Sequence, residues 1–472
     1  RLFTMFGSGE GAAVAVNAMS AICSALTIFF LYLTIVWFAK RLIKPRDEDG
    51  YTRGQALAIV GSGLVGALVY CFSDTFWFSA VEGEVYAMSS LFTAVVFWAM
   101  TKWYDVADEP HANRWIVLIA FLMGLSIGVH LLNLLCIPAL VFMFYYRQRE
   151  DKPFTFWELV KIFLVGVVIL GVINFVMIPL LPKLAAYVDL FFVNGLGLPY
   201  NSGAVFFLVA VLSLCFWGIL ATLKKQKVFW NTALLCLTSI IIGFSIFSID
   251  IIRSSAKTPT NEYQPDNAFT LVRYLSREQY GSQPLIYGQY WGAAWDLRQT
   301  KYWAPLDGKY KHVEGPIQAT YSSDSKMFFP RMWSDGTGDG RYEEFYKAYT
   351  GGKGRKIRGA KAPKPSQAAN LAYFFDYQLN WMYWRYFMWN FVGRQNEIHS
   401  PTPGNIFYGN WESGIRPLDN WRLGDQSDAP AVLAENKGKN HYFFLPLLLG
   451  LIGLFFQFGR DRRGSWKKSP MS

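Results

Sequence analysis

The sequence predicts an α-helical polytopic membrane protein with about nine apolar spans and one large α/β domain on the extracytoplasmic side. Three observations lead there. Of 472 residues, 52% are hydrophobic and 18% aromatic, while 17% are charged, and the apolar residues lie in blocks too long for a soluble core. Lys and Arg cluster just beyond those blocks, where membrane proteins keep their cytoplasmic anchors. All five cysteines, Cys23, Cys71, Cys136, Cys215 and Cys236, fall inside apolar blocks. The stretch 251–441 is therefore expected to lack disulfides, and no cysteine pair has the spacing of a zinc site.

Roughly 20 apolar residues cross a hydrocarbon core as a helix. On that measure the spans run near 12–40, 54–73, 86–103, 115–130, 131–147, 156–181, 203–223, 229–250 and 442–459. The fourth and fifth share one apolar stretch of 33 residues, too long for one crossing and short for two, with polar His130 and Asn133 near its middle. Two short helices meeting inside the membrane are expected there. Basic clusters then recur at alternate ends: Lys40, Arg41, Lys44 and Arg46; Lys102 and Arg114; Arg147, Arg149 and Lys152; Lys224, Lys225 and Lys227; Arg460, Arg462, Arg463, Lys467 and Lys468. All five fall on one side only if the 33-residue stretch reverses, which supports the split. The net charge of +11 is accordingly read as topology and not as a nucleic-acid surface.

This parity gives a transmembrane module of eight spans at 1–250, an extracytoplasmic domain at 251–441, and a ninth span with a basic cytoplasmic tail at 442–472. It also puts residues 1–11, the loop 74–85 and the segment 182–202 outside. A chain that begins outside, at Arg1 instead of Met, without a signal peptide, predicts a span upstream, and the basic tail predicts more chain downstream. The segment 181–192, bounded by Pro182 and Gly195 and containing Asp189, is amphipathic and suits the membrane interface. Turn signals Asp307-Gly308 and Asp339-Gly340 point to mixed α and β structure. Residues 351–365, rich in Gly, Lys and Pro, read as a mobile basic loop.

Several constellations bear on chemistry. The loop 74–85 carries Asp74, Glu82 and Glu84, followed by Tyr86 at the start of a span. Carboxylates at the lip of a bilayer can act as a general base or hold a divalent cation beside a phosphate; solvated loop acids are the plain alternative. Glu84 is the sharper candidate because the span begins almost at once. His130, if protonated, and Asn133 can contact a lipid phosphate, or they tie helices together through hydrogen bonds. Asn174 in the sixth block has the same two readings. Arg253, Asn261, Glu262 and Asn267 follow the eighth span, either lining a cavity or forming a solvated linker. The eleven aromatics at 373–391 suit lipid headgroups or packing, with sugar stacking as the minority reading.

Two motif-like strings are set aside. GSGLVG at 61–66 matches a dinucleotide fingerprint but lies in a span with no preceding strand, so close helix packing explains it better. DGTGDG at 335–340 resembles a calcium loop, yet Tyr346 stands where the bidentate Glu belongs. No Walker-type loop occurs in the sequence, so ATP coupling has no basis in this chain.

Five strings, RLFTMFG at 1–7, FWFSAVEGEVY at 76–86, GVHLLN at 128–133, YLSREQYG at 274–281 and MYWRYFMWNF at 382–391, resemble a bacterial membrane family known as domain of unknown function 2723. A vertebrate relative of that family is a protein O-mannosyltransferase of the secretory pathway, and the family is similar to the glycosyltransferase C superfold. The resemblance implies transfer of a sugar, such as mannose, from a polyprenyl-phosphate donor to a protein or other envelope acceptor at the outer face of the cytoplasmic membrane. It implies a catalytic acid in the first external loop, ahead of the match to residues 1–4. It further implies that Glu84 assists at the metal or donor phosphate and that His130 contacts that phosphate; beside them, Glu82 is read as supporting the donor end, and Asn133 and Arg253 as contacting the phosphate. Asp74, Tyr86, Asn261 and Glu262 would line the cavity. Two other classes stay open: a transporter or flippase for a lipid-linked sugar, which should carry inverted repeats, and a noncatalytic subunit of an envelope assembly.

Overall fold

The computed structural model describes residues 11–45, 50–149, 155–257, 261, 264–276, 278, 284, 286–329, 341–398 and 404–460. The strings at 1–7 and 335–340, the basic tail from 461 and Glu262 lie outside these. By packing, the chain forms two compact units. The first is 1–277 with 303–311 and 457–472; the second is 278–302 with 312–456.

In the first unit, α1 (Ala12–Leu42) is followed by α2 (Arg53–Cys71), α3 (Asp74–Val81) and α4 (Val85–Val106). Next come α5 (Arg114–Ile127), a 3-10 turn (Leu131–Cys136) and α6 (Ile137–Gln148). α7 (Phe156–Gly171) passes through a π turn (Val172–Met177) into α8 (Ile178–Leu196), and α9 (Ser202–Lys224) and α10 (Val228–Phe244) follow. A 3-10 turn (Ser245–Phe247), α11 (Ser248–Ser254) and α12 (Ala268–Leu275) complete the unit's helices. Among the described residues, seven helices are long and apolar enough to cross a membrane, and Arg114–Ile127 and Leu445–Gln457 are shorter apolar helices.

The helices begin and end where side chains satisfy their loose backbone groups. Thr52 and Gln55 close a capping box on α2, and Thr155 and Glu158 close another on α7. α8 ends at Gly197 in the left-handed region (φ 69), where glycine has no Cβ to clash.

What the helices bury identifies their solvent. On α9 only Gly203 and Cys215 are buried, while Val205 (62%), Leu214 (66%), Phe216 (62%) and Trp217 (70%) face outward. An apolar surface of this extent is stable against lipid and not against water. The unit is a polytopic membrane module. Inside it, Val96, Met100, Trp103, Ile119, Met123, Leu134, Ile137 and Phe244 form a core drawn from α4, α5, α6 and α10. Close approach relies on small residues. A Cβ on Gly63 would stand 2.6 Å from Val36, and one on Gly124 would stand 2.3 Å from the Ile240 carbonyl. GSGLVG is therefore a helix-packing seam.

The 33-residue apolar stretch reverses, as the charge parity requires. Arg147 at the end of α6 donates through Nε to the Tyr104 carbonyl (3.0 Å) and pairs with Asp108. Arg41 at the end of α1 pairs with Asp105 (3.2 Å). The C-terminal ends of α1, α4 and α6 thus gather at one end of the bundle, and the break at 128–136 lies at the other. Two expectations change here. Residues 74–85 are not an open loop: α3 occupies most of them, leaving a three-residue turn, Glu82-Gly83-Glu84. Nor does the 181–192 segment start a separate helix at Pro182 or stop at Gly195. The π turn absorbs the mismatch ahead of the proline, and the helical stretch Phe156–Leu196 runs 41 residues without interruption.

In the second unit, β1 (Tyr287–Gln289) pairs antiparallel with β4 (Lys326–Phe328), Gly288 opposite Met327. β2 (Asp296–Leu306) pairs with β3 (Lys309–Thr320) through a two-residue turn at Asp307 (φ 51) and Gly308 (φ 77), the conformation that Asp-Gly favours. The turn residues themselves belong to the first unit. Then follow α13 (Arg341–Thr350), α14 (Gln367–Tyr373), a π-helical run (Phe374–Trp384), α15 (Arg385–Phe391), β5 (Gly393–Arg394), α16 (Arg416–Leu423), α17 (Ala431–Ala434), β6 (Asn440–His441) and α18 (Leu445–Arg460). Tyr290, Ala293, Met327, Tyr346 and Ala362 form a small core.

The basic segment 351–365 is folded, against expectation. Arg355 and Lys364 exchange backbone hydrogen bonds of 2.9 and 2.8 Å, and Ala362 enters the core beneath Tyr290. Composition argues against a core only when every residue must contribute one; here a single small side chain and a backbone bridge suffice. Burial and the neighbouring Tyr346 push the Tyr290 phenol up to about 12. It therefore stays a donor, to the Ala362 carbonyl at 3.1 Å.

The aromatic run 373–391 is divided between packing and exposure. Arg385 is buried between the rings of Trp381 (4.1 Å) and Trp389 (4.8 Å), while Phe375, Tyr383 and Tyr386 are exposed.

Candidate functional site

The N-terminal end of α4 is built around one glycine. A Cβ on Gly83 would stand 2.9 Å from Val16 Cγ1 and 3.1 Å from Asn17 Oδ1, so the Glu82-Gly83-Glu84 turn lies directly on the first turns of α1. Glu84 then occupies the N-cap of α4 in extended backbone, and its side chain makes no capping hydrogen bond. A carboxylate at this position is favoured by the partial positive charge of the helix end. The exposed Glu84 side chain is thereby left available to another partner. Two residues on, the Tyr86 ring lies 5.5 Å from the His130 ring. Glu84, Tyr86 and His130 share one end of α4.

His130 stands in the break itself, in extended backbone between α5 and the 3-10 turn. Its Nδ1 accepts a hydrogen bond from the Leu132 amide at 3.1 Å. That bond occupies Nδ1 and leaves Nε2 as the ring nitrogen that can meet a ligand.

Asn133 is fully buried, and its amide is used within the bundle. Nδ2 donates to Ser126 Oγ (3.0 Å) and Met123 Sδ (3.2 Å), and Oδ1 accepts from Thr93 Oγ1 (3.3 Å). Both amide protons are taken, so Asn133 ties α4 and α5 to the break and does not face a phosphate. Asp74 opens α3, where the helix end favours an acid. Asn174 is half-buried in the π turn.

The remaining residues lie after α10. Ile246, in the 3-10 turn, packs on the break, its Cγ2 2.7 Å from where a Cβ of Gly128 would be. Arg253 is exposed seven residues further, about 10 Å along the helix axis. Among the described residues, no hydrogen bond or ion pair joins Arg253 to Glu84 or His130. Asn261 closes the end of α11, its amide donating to the Ser254 carbonyl (3.0 Å) and Oγ (2.8 Å). Asn267 caps α12. Both make hydrogen bonds that close or cap helix ends. Among the described residues no three of His, Cys, Asp and Glu gather as a metal-binding group.

The most elaborate polar cluster of the first unit went unrecognised in the sequence. Asp189 is fully buried and accepts from the amides of Asn201 (3.0 Å) and Gly203 (2.8 Å) and from the Tyr310 hydroxyl (2.7 Å). Asn194 pairs with both backbone groups of Tyr310 at 2.8 Å. The only available signal was an acid in an apolar run; its partner is 121 residues away.

Residues 1–153 match the family model of the protein O-mannosyl-transferase TMEM260 N-terminal domain. This part of the chain is O-mannosyltransferase-like. The TMEM260-like segment contains Asp74, Glu82, Glu84, Tyr86, His130 and Asn133. Residues 281–375 match a family of unknown function, DUF8416. No curated protein and no solved structure matches the chain.

Proposed function

We propose that this protein is a membrane glycosyltransferase of the glycosyltransferase C type, moving mannose from a polyprenyl-phosphate donor to a protein or other envelope acceptor on the extracytoplasmic face. The observation that carries the reading is that Glu84 and His130 lie at the same end of α4, with Tyr86 against the His130 ring, inside the O-mannosyltransferase-like segment.

The acceptor hydroxyl attacks the anomeric carbon, the bond from that carbon to the donor phosphate breaks, and the hydroxyl proton passes to a carboxylate base. Glu84, with Glu82 beside it, serves the donor end. His130 donates through Nε2 to the phosphate as negative charge collects there on departure. Arg253 approaches from α11 to neutralise the same group. Asn133 holds the break in position. Supporting the sidedness, the basic ends of α1 and α6 lie opposite Glu84, as expected if they face the cytosol.

Glu84→Gln keeps the shape of the side chain and removes its charge. In the complete protein, mannose transfer from polyprenyl-phosphate mannose should fall by about a hundredfold or more. Turnover equal to the unaltered protein would remove Glu84 from the site.

A further inference from the structure

The second unit contains a cleft of about 530 Å³, within the range of small-ligand sites. All its lining residues fall inside the DUF8416-like segment. We propose that this cleft binds an anionic sugar unit, a pyranose ring carrying a carboxylate or phosphate, independently of the transfer site at α4.

Three features select that chemistry. Trp295 lines the cleft with 55% of its surface exposed, offering a broad flat face to a ring. Beside it Asp296 can accept hydrogen bonds from hydroxyls. The charges do not cancel: Arg355 is matched by Asp324 at 2.8 Å, and the other charged lining residues are Lys356, Arg358 and Asp296, leaving one surplus positive charge. Among the described residues neither Lys356 nor Arg358 has an ion-pair partner. A polyol with one anionic group satisfies all three features; a purely apolar ligand satisfies none but the first.

The walls are fixed before any ligand arrives. The buried Ser325 hydroxyl donates to the Ala294 carbonyl (2.8 Å), and the Lys361 amide donates to the Gly292 carbonyl (2.8 Å). The backbone of Arg355 is held by its paired hydrogen bonds to Lys364. A preformed site loses less entropy on binding than one that must order itself.

Saturation-transfer NMR on the full chain in detergent tests this, with glucuronate, mannose 1-phosphate, mannose, inorganic phosphate and uridine monophosphate as probes. At least one of the two anionic sugars should bind about tenfold more tightly than mannose or phosphate, and Arg358→Gln should weaken it about tenfold, the scale of a charge-assisted hydrogen bond. The carboxylate and phosphate arms tell which anion is read. Glu84→Gln should leave this binding unchanged, which separates it from the transfer site. Both altered positions are exposed, so thermal melting should match the unaltered protein. Equal binding of mannose, preference for the nucleotide, or full binding by Arg358→Gln or Trp295→Ala would overturn the proposal.

Discussion

Glu412 shows how much a single side chain carries in the second unit. It is buried, with His441 Nε2 at 3.1 Å and Lys439 Nζ at 3.4 Å from Oε1. Burial by itself would raise its carboxyl, but the contact with His441 and the charge of Lys439 together outweigh it and hold the group below the ordinary range. A lowered folded value means that the unfolded chain binds the proton more readily. The stabilisation is therefore complete above the unfolded value, about 4.3, and is lost as pH falls through the folded one. Amide exchange at Arg394 and His441, the β5–β6 pair, should accelerate below about pH 4. Glu412→Gln should exchange faster than the unaltered protein at neutral pH and lose this acid response; an unchanged response would refute the assignment. Single residues were legible in the sequence where they stood out against their surroundings. Glu84 beside a span, and His130 and Asn133 inside an apolar stretch, were all conspicuous. Their partners were not: only the fold shows that Asn133 spends its amide on Ser126 and Met123 while His130 keeps Nε2.

At the level of elements, apolar length and charge parity were enough to place the reversal at 128–136, because a 33-residue stretch fits neither one nor two ordinary spans. They could not reveal that α7 and α8 are continuous. At 1.5 Å per residue, 41 residues extend about 60 Å, twice a hydrocarbon core of about 30 Å, so part of the stretch must project beyond the lipid. Its α8 end carries the Asp189 cluster. Burial, then the hydrogen bond to Asp189, push the Tyr310 phenol well above its usual range, so it remains a donor and holds the tip of the β2–β3 hairpin to α8. A hydrogen bond to a carboxylate contributes about 1.5–3 kcal/mol. Tyr310→Phe should therefore raise hydrogen exchange of the tip amides at Lys309 and Tyr310 roughly ten- to a hundredfold, while α5 and α10 exchange as before. No change at the tip would mean that Asn194 and the Tyr200 hydroxyl, which donates to the Lys309 carbonyl at 3.1 Å, suffice to hold it. Long-range ties of this kind have no periodicity and no local spacing, which is why the sequence did not disclose them.

For the whole molecule, the outward apolar faces of α1, α2, α7 and α9 require lipid, and the two ends of the bundle differ in kind. One collects Arg41, Asp105, Asp108 and Arg147; the other presents Glu84, Tyr86 and His130. The account depends on the second end holding the phosphate of a lipid-linked donor. A polyprenyl phosphate bearing a photoreactive group near its phosphate, crosslinked to the complete protein in membranes and mapped by mass spectrometry, measures this directly. The account predicts label within 76–86 and 128–136 that unmodified polyprenyl phosphate displaces. Label confined to the second unit, or to the end bearing Arg41 and Asp105, would contradict it.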